Sequence, residues 1–478
     1  MTHSEKASSS ADLTERPPSV VEMGQRQHTD KVQLSLFDGI STIVGLMVGS
    51  GIFSSSSEIH TIVKSPGMAI LIWLITGLLS LTGALCYAEL GTLIPGSGGE
   101  AQYLQKAFGG WATFVFNLSS ILILKPATVA VLTIAMAKYM VMLIWCLLQR
   151  PVPIEGYAKI LEDFPGTTMA ISLVAIFVVT LSASISTKAS LKIQEILTYG
   201  KIAALGFIIV MSLYTVAAGD RTAFTANLSS PFSGTNLNIV EYASALNNGL
   251  FGFDGWNNLN IIAGDLSNPG RTLPLAIWIS MAAVIILYCL TIFGYYAVLP
   301  VSTIATSATV GVDFGKAVAG YYGSILMAFF VVNSTFGSAL SSMATSSEII
   351  ILAADNGHIP KFFGRISKHM GTAQNAYIMQ AILSIIYVLF VDLDGLIHIY
   401  TIPSWIFYAA CVIVLLVMRS RMPNAHRPYR VWLSTPILFL GACIFLLSTS
   451  LWQKTGEVAV SIALVLLGIP IYFMVIKS

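Results

Sequence analysis

The feature that most restricts the fold of this sequence is a serine between two glycines inside a long apolar segment. The segment begins near Leu36 and is long enough to cross a membrane, yet Gly49-Ser50-Gly51 interrupts it. Glycine is a poor helix former, so the triplet predicts a break in a membrane-spanning helix. Lipid offers no partners to the backbone groups that such a break releases. The break must therefore be buried in protein or line a polar cavity.

A second break is predicted in the other half of the chain. Phe251-Gly252-Phe253-Asp254-Gly255-Trp256 also interrupts an apolar segment, and it adds an ionisable residue. For the first break alone, close helix packing at Gly45-x-x-x-Gly49 is an equally good interpretation. Two glycine-broken spans in corresponding positions instead indicate the binding site of a secondary transporter.

The composition is that of a polytopic membrane protein. Of 478 residues, 55% are hydrophobic and 10% are charged, whereas soluble proteins carry roughly 25% charged residues. A net charge of +2 without a Lys/Arg-rich block argues against a nucleic-acid partner. The five cysteines form no CxxC pair and the seven histidines are scattered. We therefore expect no metal site, no disulfide framework and no cofactor.

Twelve apolar spans of about 20 residues predict an all-α fold. They lie near 36–62 (broken), 67–94, 111–148, 167–184, 195–217, 242–262 (broken), 274–299, 319–347, 375–391, 395–418, 432–452 and 457–476. Spans one to five and six to ten each begin with a broken helix, and an odd number of helices inverts the second repeat. This 5+5 plan is that of LeuT-like transporters, whose site lies at the membrane midplane.

The domain organisation follows from these spans. Residues 1–33 are polar and lack an apolar signal segment, so they are predicted to form a disordered cytoplasmic tail. Residues 34–478 form the transporter domain, with repeats at about 36–217 and 242–418 and peripheral helices at about 432–476. Lys and Arg are concentrated in the connections on the side of the N-terminus. The positive-inside rule then puts both termini in the cytoplasm, and we expect the plasma membrane.

The first break predicts a site for both ends of an amino acid. The half-helix after it begins with unpaired N–H groups and the positive end of its dipole. Within Gly49-Ser50-Gly51, the N–H groups of Ser50 and Gly51 and the Ser50 hydroxyl suit a substrate carboxylate. The preceding half-helix ends in free carbonyls from about Met47, which suit an ammonium group.

The second break supplies the same carbonyl function from Phe251 and Gly252, and it adds Asp254. A carboxylate near the bilayer centre costs at least ~2.5 kcal/mol, so it should face the cavity. Asp254 is either a counter-charge to a substrate cation or a structural acid bonded to freed N–H groups. Phe251 and Trp256 are candidate gates, with core packing as the alternative, and Asn257 can hydrogen-bond within the site.

Two lysines lie within predicted spans. Lys201 either snorkels to the cytoplasmic interface or occupies the place of a coupling cation between the first, fifth and eighth spans. Lys125 either lines the cavity or pairs with an acid such as Glu89. The eighth span carries a polar stripe for which helix packing is favoured over a substrate path. The stripe consists of Asn333, Ser334, Ser338, Ser341 and Ser342.

Together these motifs resemble the L-type amino-acid transporter (light-chain) family of the amino acid–polyamine–organocation superfamily. The matching motifs are residues 45–53, 87–91, 95–99, Lys125-Pro126, 192–201, 255–260, 268–275, 357–360 and 427–429. The resemblance implies a twelve-helix LeuT-like fold and sodium-independent amino-acid transport, commonly by exchange. It also implies that Ser50 and Gly51 hold the substrate carboxylate and that Phe251 is a gate. Lys201 would lie where related carriers bind sodium.

The resemblance also bears on substrates and partners. Many neutral amino-acid carriers of the family have glycine at the position of Asp254, whereas members that also take cationic amino acids have aspartate. We therefore expect broad specificity for large neutral and cationic L-amino acids. Animal light chains join a heavy chain through a cysteine between spans three and four, and residues 150–166 contain none. No disulfide-linked heavy chain is expected.

Two other functions fit the same features. A polyamine or organic-cation carrier could pair its ligand with Asp254 without using the carboxylate site. An amino-acid sensor could bind substrate and report it through the N-terminal tail without transport. A membrane enzyme is least favoured, because the sequence shows no nucleophile with a base and no metal cluster, so no catalytic residues are predicted.

Overall fold

The computed structural model describes residues 33–150, 157–367, 370–453 and 455–476, and this part of the chain is helical. The predicted tail, apart from Gln33, lies outside the described residues. The helices are α1 Leu36–Met47, α2 Gly51–Val63, α3 Pro66–Leu93, α4 Glu100–Phe108, α5 Gly110–Ser119, α6 Lys125–Leu147, α7 Tyr157–Asp163, α8 Pro165–Ile185, α9 Thr187–Ala217, α10 Thr222–Leu228, α11 Ile239–Gly252, α12 Asn258–Ile261, α13 Pro269–Val298, α14 Val301–Thr306, α15 Val310–Asp355, α16 Gln374–Phe390, α17 Leu393–Arg421, α18 Ser434–Gln453 and α19 Thr455–Ile471. A π-helical turn, Ser120–Leu124, joins α5 to α6 without a break.

Eight membrane spans are evident from length and hydropathy among the described helices. Seven are single helical stretches, and α1 with α2 forms an eighth that bends by 43° at the first break. Three shorter apolar helices lie where spans nine, eleven and twelve are predicted. The second break divides the sixth predicted span into α11, of 14 residues, and α12, of four, so neither piece is long enough to cross alone. The count of twelve is therefore not reached by these criteria, although the predicted positions all contain helices.

Apolar stripes on the outer helices identify the surface that faces lipid. On α8, Val174, Phe177 and Leu181 are each more than half exposed and recur at helical spacing. On α16, Ile378 and Ile382 are also more than half exposed. Such stripes would be unfavourable in water, whereas lipid covers them at no penalty. The chain is therefore a multi-pass membrane protein.

The first break begins where the backbone of Val48 leaves the helical region, with φ −76° and ψ 75°. Helical structure resumes at Gly51, the first residue of α2. A backbone pairing joins the start of α1 to the chain that follows α12: the Leu34 N–H donates to the Asp265 carbonyl at 2.8 Å, and the Ser267 N–H donates to the Leu34 carbonyl at 2.9 Å. The beginning of the first repeat is thus attached to the end of the second broken span.

A buried ionic network joins α3 to α17 and to the chain before α18. Glu89 is fully buried and accepts hydrogen bonds from Nε and Nη2 of Arg419, the first at 2.9 Å. The backbone N–H of Val431 also donates to Glu89 at 2.9 Å, and Arg427 lies 3.5 Å away. Glu89 is therefore not the partner of Lys125, which was one of the two alternatives for that lysine.

We predict that Glu89→Gln strongly destabilises the protein. The substitution leaves Arg419 and Arg427 without their carboxylate, and breaking a buried ion pair typically costs about 3–5 kcal/mol. The midpoint of thermal unfolding in detergent should fall clearly below that of the wild type. Glu162→Gln is the control, because its exposed pair with Lys159, at 3.7 Å, contributes little. Equal midpoints for Glu89→Gln and the control would contradict the prediction.

Candidate functional site

The two helix breaks lie directly against each other. A Cβ added to Gly51 would come within 2.5 Å of the Gly252 Cα, and one added to Gly255 would come within 2.6 Å of the Leu46 side chain. Gly255 also has a φ of 110°, which side chains other than glycine rarely allow. Glycine is thus required on both sides of the contact. The residues predicted from the two halves of the chain meet at this point.

Tyr288 of α13 connects the two breaks. Its hydroxyl donates to the Met47 carbonyl at 2.8 Å and lies 3.1 Å from the Gly252 carbonyl. The ring is fully buried, edge-on to Trp73. Met47 was expected to offer a free carbonyl, but that carbonyl also accepts from the Gly49 N–H at 2.8 Å, so both of its lone pairs are used here. One tyrosine within an apolar span gives no indication of this role in the sequence.

Two serines of the polar stripe on α15 bind further carbonyls of the first break. Ser334 donates to the Val48 carbonyl at 2.8 Å, and the Ser338 hydroxyl lies 3.1 Å from the Gly45 carbonyl. These side chains satisfy backbone groups that have no helical partner. The stripe therefore supports the break itself, in addition to any contribution to helix packing.

Lys201 of α9 lies at the same place. Its side chain is fully buried, so it does not snorkel to an interface in this structure. The ammonium donates to the Gly45 carbonyl and, at 2.6 Å, to the Ser338 hydroxyl. The Lys201 Nζ thus lies between the first, fifth and eighth spans, which is the place that the second of the two alternatives gave it.

The N–H groups at the start of α2 remain available. The Gly49 N–H is bonded to the Met47 carbonyl, but no described residue accepts a hydrogen bond from the N–H of Ser50 or Gly51. Ser50 itself is only 2% exposed. At the second break, the Phe251 carbonyl accepts from the Asp254 N–H at 3.2 Å. The first break therefore keeps unpaired donors, which suit an anionic group.

A polar cavity opens beside the second break. It is small, and Asp254, Asn257, Glu100 and Lys125 are among its lining residues. The Tyr408 hydroxyl donates to Asp254 Oδ1 at 3.0 Å. Lys125 donates to Asn258 at 2.8 Å and to Thr345 at 3.2 Å. Lys125 thus lines the cavity, which was the other alternative for it.

The predicted site residues divide between the cavity, a smaller adjoining pocket and the breaks. Asp254 and Asn257 line the cavity, and Asp254, Phe251 and Trp256 line the adjoining pocket. Trp256 is 3% exposed, with the rings of Tyr87 and Tyr408 each 4.9 Å from its own. The residues that line neither space are Met47, Gly49, Ser50, Gly51, Gly252 and Lys201.

The cavity is also lined by three residues that were not predicted from the sequence: Glu100, Tyr400 and Tyr408. Glu100 follows a glycine-rich motif directly, so an acid at that position could have been noticed. The tyrosines carry no such indication, because helical spacing alone does not reveal which helix faces the break. Within the part of the chain that the structure describes, no cluster of three or more His, Cys, Asp or Glu side chains could hold a metal ion.

Comparisons with known proteins agree with this architecture. The family model described as "Amino acid permease" matches residues 34–476. The human "Cystine/glutamate transporter" is 33% identical over 95% of this chain and 87% of its own length. The human "b(0,+)-type amino acid transporter 1" is 31% identical over 92% of this chain and 87% of its own length. The human "Large neutral amino acids transporter small subunit 2" is 31% identical over 93% of this chain and 80% of its own length.

Among solved structures, the chain is similar to MhsT in complex with L-phenylalanine. The TM-score is 0.58 at 13% sequence identity, and the match covers 92% of this chain and all of the other. At this identity the likeness shows the fold alone. It confirms the predicted LeuT-like fold.

We predict that Gly51→Ala abolishes most function of the site while Gly206→Ala does not. The new methyl group at Gly51 would meet the backbone of Gly252 at 2.5 Å, so the two breaks would have to separate. A methyl group at Gly206, within α9, would meet nothing within 4 Å. Binding of radiolabelled leucine to the purified variants measures the effect. We expect at least a tenfold rise in Kd for Gly51→Ala, and wild-type affinity in that variant would contradict the geometry.

Proposed function

The chain belongs to the amino acid permease family, and on this premise we propose that it exchanges L-amino acids across a membrane without sodium. The observation that carries the proposal is the contact between Gly51 and Gly252, which brings the unpaired N–H groups of the first break against the second break. The named relatives support amino acids as the substrates, because their names specify cystine and glutamate, amino acids in general and large neutral amino acids.

The substrate's carboxylate would bind the N–H groups of Ser50 and Gly51. Both groups lack an acceptor among the described residues, and the N-terminus of a helix favours an anion. Gly49 contributes by lying within the break, where an added Cβ would come within 3.2 Å of the Ser338 hydroxyl oxygen. Substrate binding there would complete the hydrogen bonding of the first break in the same way that Tyr288 completes it at the Met47 carbonyl.

The substrate's ammonium group would bind on the side of the second break. Carbonyl oxygens of Met47, Phe251 and Gly252 lie around the contact between the breaks, and each could accept from an ammonium after a small rearrangement of its present partners. Asn257 could add a side-chain hydrogen bond from the cavity wall. Phe251, whose ring lies 6.3 Å from that of Tyr400, is our candidate gate, and Trp256 would support it.

Lys201 supports transport without sodium. Its ammonium is bonded to a backbone carbonyl of the first span and to a hydroxyl of the eighth, which are the ligand types that a sodium ion would use. A covalently attached cation makes a mobile one unnecessary. Loss of substrate would leave the unpaired donors of the first break unsatisfied. This favours return of the carrier with a second substrate, which is exchange.

The proposal also includes the orientation of the chain in its membrane and its protein partners. The distribution of Lys and Arg supports cytoplasmic termini, and we propose the plasma membrane as the location. Residues 150–166 contain no cysteine, and Cys146 is 4% exposed, so a disulfide-linked heavy chain is not expected.

Asp254 favours a specificity that includes cationic amino acids. Its carboxylate accepts from Tyr408, and no ion pair of a described residue involves it. Lys125, in the same cavity, donates to Asn258 and Thr345 instead. A buried carboxylate of this kind is stabilised by a cationic ligand.

We predict that Asp254→Gly keeps leucine exchange and loses arginine exchange by at least tenfold. Purified protein in liposomes loaded with unlabelled leucine or arginine, or left empty, would be tested for sodium-free uptake of either labelled amino acid. Uptake should occur only into loaded vesicles. Asp220→Gly, at an exposed position, is the matched control.

Other outcomes would contradict the proposal in distinct ways. If the wild type carries leucine but never arginine, the cationic specificity is wrong. If it carries a diamine but no amino acid, the organic-cation carrier is correct. If it binds leucine without moving it across the membrane, the protein is a sensor.

A further inference from the structure

Glu100 is a second carboxylate in the cavity of Asp254. It is the first residue of α4 and is 2% exposed. Its Oε1 accepts a hydrogen bond from the side-chain amide of Asn257. Its Oε2 is buried and has no hydrogen-bond partner among the described residues. One oxygen of a carboxylate that lines this cavity is therefore left without a hydrogen-bond donor among the described residues.

The position of Glu100 is fixed by contacts to the second break. The Gly98 N–H donates to the Ile261 carbonyl at 2.7 Å, and the Tyr103 hydroxyl donates to Asn260 at 3.0 Å. These bonds join both sides of Glu100 to α12, the helix that follows the break. The carboxylate therefore belongs to the wall that the second break presents to the cavity.

The charges of the cavity do not balance. Among the described residues that line it, Asp254 and Glu100 are acidic and Lys125 is the one basic residue. Lys125 donates to neutral partners, and neither carboxylate is in an ion pair with a described residue. Acidic residues thus outnumber basic ones by one, and an ionised carboxylate shielded from water is unfavourable until a cation enters.

We propose that Glu100 and Asp254 together bind the cationic side chain of a substrate. A guanidinium group carries five N–H donors in a planar fork, so it can satisfy Oε2 of Glu100 and the carboxylate of Asp254 at once. The side chain of leucine offers neither carboxylate a donor. The inference rests on the proposed amino-acid exchange and adds a residue that selects cationic substrates.

The test is the substitution Glu100→Gln. Glutamine keeps the size of the side chain and an oxygen that can accept from Asn257, and it removes the charge. KM values for arginine and leucine exchange would be measured in proteoliposomes, with Glu162→Gln on α7 as a charge-matched control. We expect the KM for arginine to rise about tenfold or more, because a hydrogen bond between charged groups is lost. The KM for leucine should stay within about twofold in the same vesicles.

The outcomes separate this inference from the proposed function. A wild type that does not exchange arginine contradicts the proposed specificity and this inference with it. A wild type that does so, with an unchanged arginine KM in Glu100→Gln, overturns the role of Glu100 alone. Equal rises for both substrates mean that Glu100 is structural, and they also overturn it.

A second variant covers the case in which Glu100→Gln shows no exchange of either substrate. Glu100→Asp keeps the charge and withdraws it from the cavity by one methylene group. Its KM for arginine should rise while its KM for leucine does not. Equal effects on both substrates in Glu100→Asp would overturn the inference.

Discussion

The carbonyl groups of Gly45, Met47 and Val48 have no helical partner, because the helix ends there, and lipid contains no donor for them. Each is instead bonded by a side chain from another span: Lys201 and Ser338 at Gly45, Tyr288 at Met47 and Ser334 at Val48. The first, fifth, seventh and eighth spans therefore meet at a single break. Each of these buried carbonyls thus depends on another span for at least one of its hydrogen bonds, and losing a buried hydrogen bond is more costly than losing an exposed one.

This requirement also explains the asymmetry of the site. The carbonyls before the break have been supplied with donors by the protein, whereas the N–H groups of Ser50 and Gly51 after it have no acceptor among the described residues. An anionic group of a bound molecule can accept hydrogen bonds from these N–H groups. Gly252 lies against Gly51 and connects this point to the second break, where Asp254 and Glu100 line the cavity. The proposed carboxylate and cation sites for one small molecule thus depend on two breaks in one bundle.

The sequence predicted the parts of the site that depend on backbone chemistry. Glycines around Ser50 and Asp254 revealed both breaks, because glycine and ionisable residues are unfavourable in a membrane-spanning helix. The sequence did not predict which side chains on distant helices pair with each other. Glu89 pairs with Arg419 and Arg427 instead of Lys125, because helical spacing does not specify which helix is the neighbour. Tyr288 looked like any aromatic residue in an apolar span. The twelve-span count was inferred from apolar length, which the short helices beside the second break and at spans nine, eleven and twelve do not have.

Leucine affinity in Tyr288→Phe is the most direct measurement of whether donors from other spans hold the two breaks in a substrate-binding arrangement. The substitution removes only the hydroxyl that reaches the carbonyls of Met47 and Gly252. Tyr295→Phe is the matched control, because its hydroxyl is buried on the same helix without a hydrogen-bond partner among the described residues. Equilibrium binding of labelled leucine should weaken about tenfold in Tyr288→Phe and stay unchanged in Tyr295→Phe. Equal affinities in both variants and the wild type would contradict the account.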